Sequence, residues 1–325
     1  MHVPGMSPQR NPALDAVRGV AISCVVLAHC FPDSFPRGGL VGVDLFFVLS
    51  GFLIGGNLMD RKGQPGYFAD FYRRRAFRIL PLYLLLLVVT PLALSQPLWH
   101  YLTFTQNFWW AWSGNDLTGW DAPTWSLAVE EQFYAVAPFL VALVPLARLP
   151  PVLIGLAALA PLCRAIASNA TATYVLMPCR MDALFAGMLV AWIVRFWRPR
   201  PGVVLAAVLV TGVGFVCTVG NAATRSSIQL WGAGYTMEAA FFASMLLALV
   251  MQGWRGNPVL GWLGVRAYGL YLTHTLMMVW TGNNIIGVGA SLVVSAIAWR
   301  YLEEPLIRFG KKPFDLFARP AGLTS

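Results

Sequence analysis

Long apolar segments recur along almost the whole of this 325-residue chain. Hydrophobic residues make up 58% of the sequence and charged residues only 11%, and about 20 consecutive apolar residues are enough to cross a bilayer as a helix. The pattern predicts an all-α integral membrane protein, a bundle of about ten transmembrane helices. The predicted spans are 15–32, 38–59, 76–95, 124–146, 151–167, 174–197, 201–220, 229–251, 258–281 and 284–302.

Basic residues are distributed unevenly between the two sets of loops that these spans define. If the amino terminus is cytoplasmic, most of the 23 Lys and Arg residues fall in cytoplasmic segments, and only Arg37, Arg164 and Arg225 fall in outer ones. Because positive residues collect on the cytoplasmic side, we expect both termini to be cytoplasmic and the protein to lie in the plasma (inner) membrane. The net charge of +9 then needs no nucleic-acid partner, since no single basic domain carries it.

The domain organisation predicted from these segments is simple. Residues 1–310 are expected to form one transmembrane domain, and residues 311–325 a short basic cytoplasmic tail. The segment 96–123 is rich in tryptophan and lacks Lys and Arg, which is typical of an outer segment lying at the membrane interface. No metal site is predicted, because the five cysteines form no CxxC pair.

The first span, LDAVRGVAISCVVLAH, contains Arg18 and His29. In a helix these two residues are separated by a rise of roughly 16 Å, about half the hydrocarbon thickness of a bilayer. Ionisable groups at membrane depth are costly, so each is a candidate functional group. Asp15 is expected to cap the start of the helix.

A cytoplasmic layer of arginines accompanies Arg18. In the segment FYRRRAFRILPLY, Arg75 and Arg78 are three residues apart and share one helical face. Such arginines commonly anchor a helix to lipid headgroups. If they bind a ligand instead, that ligand is an anion, because paired guanidinium groups recognise phosphate or carboxylate.

A second layer of ionisable residues is predicted in the outer half of the membrane. A single member is explained by a structural hydrogen bond, whereas the whole set favours an enclosed polar cavity, because each unpaired group costs several kcal/mol in lipid. A histidine near carboxylates suits a general base, and it equally suits the proton relay of a proton-coupled transporter or flippase. The layer consists of His29, Asp44, Glu130, Glu131, Arg180, Asp182 and His274.

Seven motifs along the chain carry a family resemblance. They are LDAVRGVAISCVVLAH, GVDLFFVLSGFLI, FYRRRAFRILPLY, TWSLAVEEQFY, CRMDALFAGM, YGLYLTH and LEEP. In this order they resemble the acyltransferase 3 family, membrane enzymes that O-acetylate or otherwise O-acylate bacterial surface and secreted glycans. Arg18 and His29 fit the family's arginine, ten residues, histidine motif, and Arg75 and Arg78 fit its R-x-x-R motif.

The resemblance implies an O-acyltransferase that moves an acyl group, usually acetyl, from cytoplasmic acyl-CoA to a hydroxyl of a carbohydrate or glycolipid near the outer face. Acetyl-CoA is then the donor substrate, with its phosphates at Arg18, Arg75 and Arg78. His29 is the expected general base, and Glu130 is expected to orient His29 or the acceptor. The predicted acceptor-binding residues are Asp44, Glu131, Arg180, Asp182 and His274.

This sequence departs from many members of the family in one respect. Many relatives have a C-terminal SGNH-type domain, which is not found in this sequence. Either a partner protein is expected to complete the transfer, or the acceptor binds the membrane domain directly. The alternative function, a transporter or flippase of glycan or acyl intermediates, stays open on spacing alone.

Overall fold

A computed structural model describes residues 11–32, 34, 38–90, 94–113, 117, 119–220 and 234–311. Within these residues every regular element is helical, which confirms the all-α prediction. A 3₁₀ turn (Leu146–Arg148) leads into α7, and a π-helical turn (Trp299–Glu303) joins α14 to α15. The helices are α1 (Pro12–Cys30), α2 (Gly38–Arg61), α3 (Tyr67–Val89), α4 (Leu98–Leu102), α5 (Gln106–Ser113), α6 (Thr124–Leu143), α7 (Leu149–Ile166), α8 (Ala170–Val175), α9 (Met177–Phe196), α10 (Pro201–Gly220), α11 (Tyr235–Met251), α12 (Pro258–Val265), α13 (Ala267–Thr281), α14 (Asn284–Ala298) and α15 (Glu304–Gly310).

Six helical stretches in the described residues are long and apolar enough to cross a membrane, judged by length and composition. They are Pro12–Cys30, Val41–Arg61, Thr124–Leu143, Leu146–Ile166, Ala170–Phe196 and Asn284–Gly310. Shorter apolar helices cover Pro201–Cys217 and Tyr235–Met251. The count of ten spans and the cytoplasmic termini stay predictions. Arg37, Arg225 and all but the first residue of the predicted 311–325 tail lie outside the described residues.

The start of α1 differs from the prediction. Asn11 caps the helix, because its side chain accepts a hydrogen bond from the backbone N–H of Ala13 at 2.9 Å. Asp15 lies inside the first turn and pairs with Nη1 of Arg18 at 2.9 Å. The predicted capping role of Asp15 is therefore wrong, and its carboxylate is available to balance Arg18.

The predicted span 258–281 is divided at Arg266 into α12 and α13. Arg266 leaves helical geometry, with φ −96° and ψ 4°. Its guanidinium lies 4.0 Å from the centre of the Trp262 ring and donates to the Trp262 carbonyl at 3.0 Å. A hydropathy pattern cannot detect such a break, because it depends on a local side-chain to backbone contact.

Helices α2 and α9 pack backbone to backbone through glycines. A Cβ added at Gly51 would lie 1.9 Å from the carbonyl oxygen of Leu184, and one at Gly187 would lie 2.0 Å from that of Val48. Such close approach is possible only without a side chain, as is common between helices in lipid. The contact holds the polar residues near the starts of α2 and α9 beside each other.

The described part of the segment between α3 and α6 contains only short helices. At roughly 1.5 Å per residue, neither α4 nor α5 is long enough to span a bilayer. Trp99 and Trp112 are exposed, whereas Asp121 is buried and accepts hydrogen bonds from the Tyr101 hydroxyl and the Ser95 backbone and hydroxyl. Hydrogen bonds to the buried Asp121 carboxylate thus hold the segment together, and Trp99 and Trp112 lie on its surface.

Candidate active site

A cavity of about 270 Å³ brings together the three arginines predicted to bind an anion. Arg18 enters it from α1, and Arg75 and Arg78 enter it from α3. The remaining wall contains many apolar side chains from α2, α6 and α13. Its other polar or aromatic-hydroxyl side chains are Ser50, Asn57, Ser126, Glu130, Tyr134, Tyr268 and Tyr271. We call this space the arginine cavity.

The residues that line the arginine cavity carry more positive than negative charge. Arg18, Arg75 and Arg78 are close enough to repel one another, and Asp15 pairs with Arg18. The Arg75 guanidinium lies 5.4 Å from the centre of the Tyr134 ring. Neighbouring cations in a partly desolvated space favour an anion that neutralises them. The cavity can therefore bind a phosphate-bearing or carboxylate-bearing ligand.

Glu130 lines the arginine cavity. The hydroxyl of Ser50 donates to one carboxylate oxygen of Glu130, and the hydroxyl of Tyr134 donates to the other at 3.1 Å. Arg75 and Arg78 are near enough to attract this carboxylate. Glu130 was predicted to share the depth of His29 and to orient it or the acceptor, whereas among the described residues its hydrogen bonds go to Ser50 and Tyr134. These two hydroxyls were missed because neither is charged.

Glu131 is the next residue of α6, and it is not among the described residues that line the arginine cavity. It is close enough to interact with Glu130 and Arg75. Its Oε1 atom is buried and has no hydrogen-bond partner among the described residues. The role of Glu131 in binding the acceptor stays a prediction.

His29 and His274 lie side by side, and we call them the histidine pair. The Nε2 atom of His274 is 3.4 Å from Nδ1 of His29, and the ring centroids are 5.0 Å apart. His29 is exposed, whereas His274 is completely buried. Nδ1 of His29 is also 2.9 Å from the carbonyl oxygen of Val25. Because a carbonyl only accepts, Nδ1 carries the proton and the neutral ring has a free lone pair on Nε2.

Tyr271 lies between the arginine cavity and the histidine pair. Its ring lines the cavity and has its centroid 5.9 Å from that of His274. Its hydroxyl donates to the Pro123 carbonyl at 3.0 Å and is 2.6 Å from the Ser126 hydroxyl. Since one helical turn of α13 is about 5.4 Å, the described cavity wall reaches to within about one turn of the histidine pair.

The other predicted residues form a buried ion-pair network. Arg180 of α9 pairs with Asp44 of α2, and both side chains are at most 2% exposed. Arg164 of α7 pairs with Asp182 at 3.0 Å, again with both side chains buried. The hydroxyl of Thr236 donates to Asp182 at 2.7 Å and accepts from Arg164 at 2.6 Å. Ion pairs thus join α2, α7 and α9, and the Thr236 hydroxyl adds α11 through hydrogen bonds.

Arg164 and Glu238 are members of this region that the sequence analysis missed. Arg164 was counted among the outer basic residues, yet its side chain is 0% exposed. Glu238 is 2% exposed and close to Asp44. The Arg180 guanidinium is also stacked 3.7 Å from the centre of the Tyr235 ring. Because the charges compensate one another, the geometry favours a structural role, and the acceptor-binding role stays a prediction.

Comparison with known proteins adds independent information. A family model described as an acyltransferase domain, Acyl_transf_3, matches residues 11–300. The chain is similar to the peptidoglycan O-acetyltransferase OatA of Listeria monocytogenes, with 27% identity over 92% of the chain and 56% of the relative. It is 27% identical to the putative peptidoglycan O-acetyltransferase YrhL of Bacillus subtilis over 94% of the chain and 56% of that protein.

A third relative is the O-acetyltransferase OatA of Staphylococcus aureus, 24% identical over 97% of the chain and 60% of the relative. The chain thus spans less than two thirds of the length of these relatives. No solved structure matches it. Because the family model covers 11–300 and the described helices include six apolar enough to cross a membrane, the chain is a multi-pass membrane protein that belongs to the acyltransferase 3 family.

Proposed function

We propose that this chain is a membrane O-acyltransferase that moves an acetyl group from cytoplasmic acetyl-CoA to a hydroxyl of a carbohydrate or glycolipid near the outer face of the plasma membrane. The observation that carries the proposal is the arginine cavity, in which Arg18, Arg75 and Arg78 converge next to Tyr271 and the histidine pair. Family membership and the names of the relatives support the reaction class. Two of those names specify peptidoglycan as the acceptor. For this chain we propose the wider class of surface glycans.

The donor is proposed to bind with its phosphates against the three arginines. Guanidinium groups hold phosphate oxygens by charge-assisted, often bidentate hydrogen bonds. The acyl-bearing arm of the donor is narrow and extends from the phosphates along α1, past Tyr271, towards His29. The rise from Arg18 to His29 is roughly 16 Å, and this spacing sets the reach that the donor requires.

His29 is proposed as the general base. Its Nε2 removes the proton of the acceptor hydroxyl as the oxygen attacks the thioester carbonyl carbon. The tetrahedral intermediate collapses with cleavage of the carbon–sulfur bond, and the thiolate leaves as coenzyme A after taking a proton from His29. Holding both reactants at one site contributes by removing the entropy of a bimolecular encounter. Glu130 is proposed to orient the donor side of the site through Ser50 and Tyr134.

The proposed topology has ten spans, with both termini and the tail at 311–325 in the cytoplasm. Residues 1–310 form the single transmembrane domain. The arginine cavity then opens towards the cytoplasm and His29 lies near the outer surface. The acceptor reaches His29 from outside, either directly or through a partner protein. Glu131 is proposed to bind it, and the buried ion pairs of Asp44, Arg180 and Asp182 are proposed to support that side of the site.

Donor binding gives the test of this proposal. Acetyl-CoA at about 100 times its Kd should stabilise the purified wild-type protein by about 2.7 kcal/mol, measured as a rise in Tm in detergent. The Arg75→Ala/Arg78→Ala variant should lose this protection, because two of the three cations are gone. A transporter that works by a proton relay has no need of the paired cations, so the experiment also separates the two functions.

The matched control is Arg73→Ala/Arg74→Ala, which removes two adjacent arginines of the same helix. These arginines pair with Asp70 at 3.3 and 3.9 Å, and they are not among the described residues that line the arginine cavity. Asp70 precedes the predicted span, and its hydrogen bond from Arg61 lowers the pKa of its carboxyl. The control should retain protection by acetyl-CoA. Equal protection of all three proteins, or of none, would contradict the donor site.

A further inference from the structure

The hydrogen bonds of the histidine pair determine the tautomer of both rings. Nδ1 of His274 lies 2.8 Å from the carbonyl oxygen of Tyr271 and 3.1 Å from that of Leu270. Carbonyl oxygens only accept, so Nδ1 of His274 carries a proton, and Nε2 of the neutral ring is an acceptor. The N–H at Nδ1 of His29 is therefore shared between the Val25 carbonyl at 2.9 Å and Nε2 of His274 at 3.4 Å.

Both nitrogens of His274 are thus already engaged. One donates to its own helix and the other accepts from His29, and the ring is 0% exposed. The ring has no polar atom left with which to bind an acceptor molecule, which was its predicted role. His29, by contrast, is exposed and keeps Nε2 free. The two histidines therefore differ in function although they are chemically identical.

We infer that His274 is a positioning residue that holds the His29 ring through Nδ1, so that Nε2 of His29 points to the reacting hydroxyl. This inference rests on the proposed role of His29 as general base. The proton moves from the acceptor hydroxyl to Nε2 of His29 and then to the departing thiolate, and no proton is exchanged with His274. While His29 is an imidazolium ion, its Nδ1–H bonds become charge-assisted and stronger. His274 thus stabilises the cation that forms during the reaction by accepting the Nδ1–H hydrogen bond.

His274→Phe and His274→Gln test this role. Phenylalanine preserves the ring volume but has no acceptor, and it should lower kcat by about 10-fold to 100-fold with the KM for acetyl-CoA unchanged. Glutamine can place an amide oxygen near the position of Nε2, and it should retain kcat within a few fold of the wild type. The matched control is Thr273→Val, which removes buried hydrogen bonds to the Gly269 carbonyl and the Ser291 hydroxyl and should leave kcat unchanged.

Two results would overturn the inference. One is a His274→Phe variant with wild-type kcat. The other is an equal loss of kcat in the Phe, Gln and Thr273→Val variants, because that pattern indicates damage to the helix rather than the loss of an acceptor.

A second measurement requires no acetyl transfer and separates this inference from the proposed function. Diethyl pyrocarbonate acylates an unprotonated, accessible imidazole nitrogen, and mass spectrometry locates the modified residue. His29 should be modified in the wild type, and more slowly in His274→Phe, because the hydrogen bond from Nδ1–H to His274 that makes Nε2 more nucleophilic is lost. If the wild type transferred no acetyl group, the proposed function would fail, and this comparison alone would decide the role of His274. Equal rates of modification would then refute it.

Discussion

Replacement of His29 by alanine is expected to reduce kcat for acetyl transfer by about 10²-fold to 10⁴-fold, the usual contribution of a general base. Nε2 of His29 has a free lone pair in the observed hydrogen-bond pattern, and the residue is exposed to an incoming acceptor. His29 is not among the described residues that line the arginine cavity. Stabilisation of the variant by acetyl-CoA should therefore equal that of the wild type, so that chemistry is lost while donor binding is kept.

His100→Ala is the matched control for the loss of a histidine. His100 lies in α4, where its Nδ1 is 3.2 Å from the hydroxyl of Thr105, and the described wall of the arginine cavity does not include it. Its replacement should leave kcat within a few fold of the wild type. Normal acetyl transfer by purified His29→Ala would show that the base is assigned to the wrong residue.

The second large effect is expected in the buried ion-pair network. Asp44→Asn leaves the Arg180 guanidinium buried without its carboxylate, and the free energy of unfolding should fall by about 3–5 kcal/mol. The Nε and Nη1 atoms of Arg180 already have no hydrogen-bond partner among the described residues. The loss should appear as a much lower Tm and a lower yield of folded protein from detergent extracts.

The double variant Asp44→Leu/Arg180→Met distinguishes pairing from packing. Removing both charges avoids the buried unpaired cation, so most of the lost stability should return. The matched control is Asp60→Asn, which breaks the more exposed pair between Asp60 and Arg195 at 2.8 Å and should cost no more than about 1 kcal/mol. A stable Asp44→Asn variant with only a raised KM for the acceptor would contradict the structural role and support the predicted acceptor-binding role.

The convergence of the three arginines was predictable from the sequence. The bias of Lys and Arg predicts an orientation, and the constant rise of a helix then puts Arg18, Arg75 and Arg78 at one predicted level. The structure brings these three arginines into one cavity. The all-helical fold follows equally directly, because backbone groups in lipid need partners within the same segment.

The lateral neighbours of each group were not predictable from the same information. Glu130 and His29 were assigned similar depth, yet Glu130 bonds to Ser50 and Tyr134 while His29 bonds to His274. Which faces of two helices pack together depends on glycine contacts. A single sequence does not reveal that Gly51 lies against α9. Residues 245 positions apart form the histidine pair, and no local pattern predicts such a contact.

The missed members of the ion-pair network have the same explanation. Arg164 was assigned to an outer segment because it falls near the end of a predicted span. In the fold it is the partner of Asp182, which lies on another helix. An expectation that buried charges are paired predicts that partners exist, and only the packing of α7 against α9 identifies them.

Base-labile acetate on surface and secreted glycans provides the most direct test of the central claim. Isolated glycans from cells that lack this protein, from cells that express it and from cells that express His29→Ala are treated with mild alkali, and the released acetate and the mass of each glycan are measured. We expect ester-linked acetate, one acetyl mass per modified unit, only with the wild-type protein, when the wild type and His29→Ala are present at equal levels in the membrane. Identical acetate in all three glycan preparations would contradict the central claim.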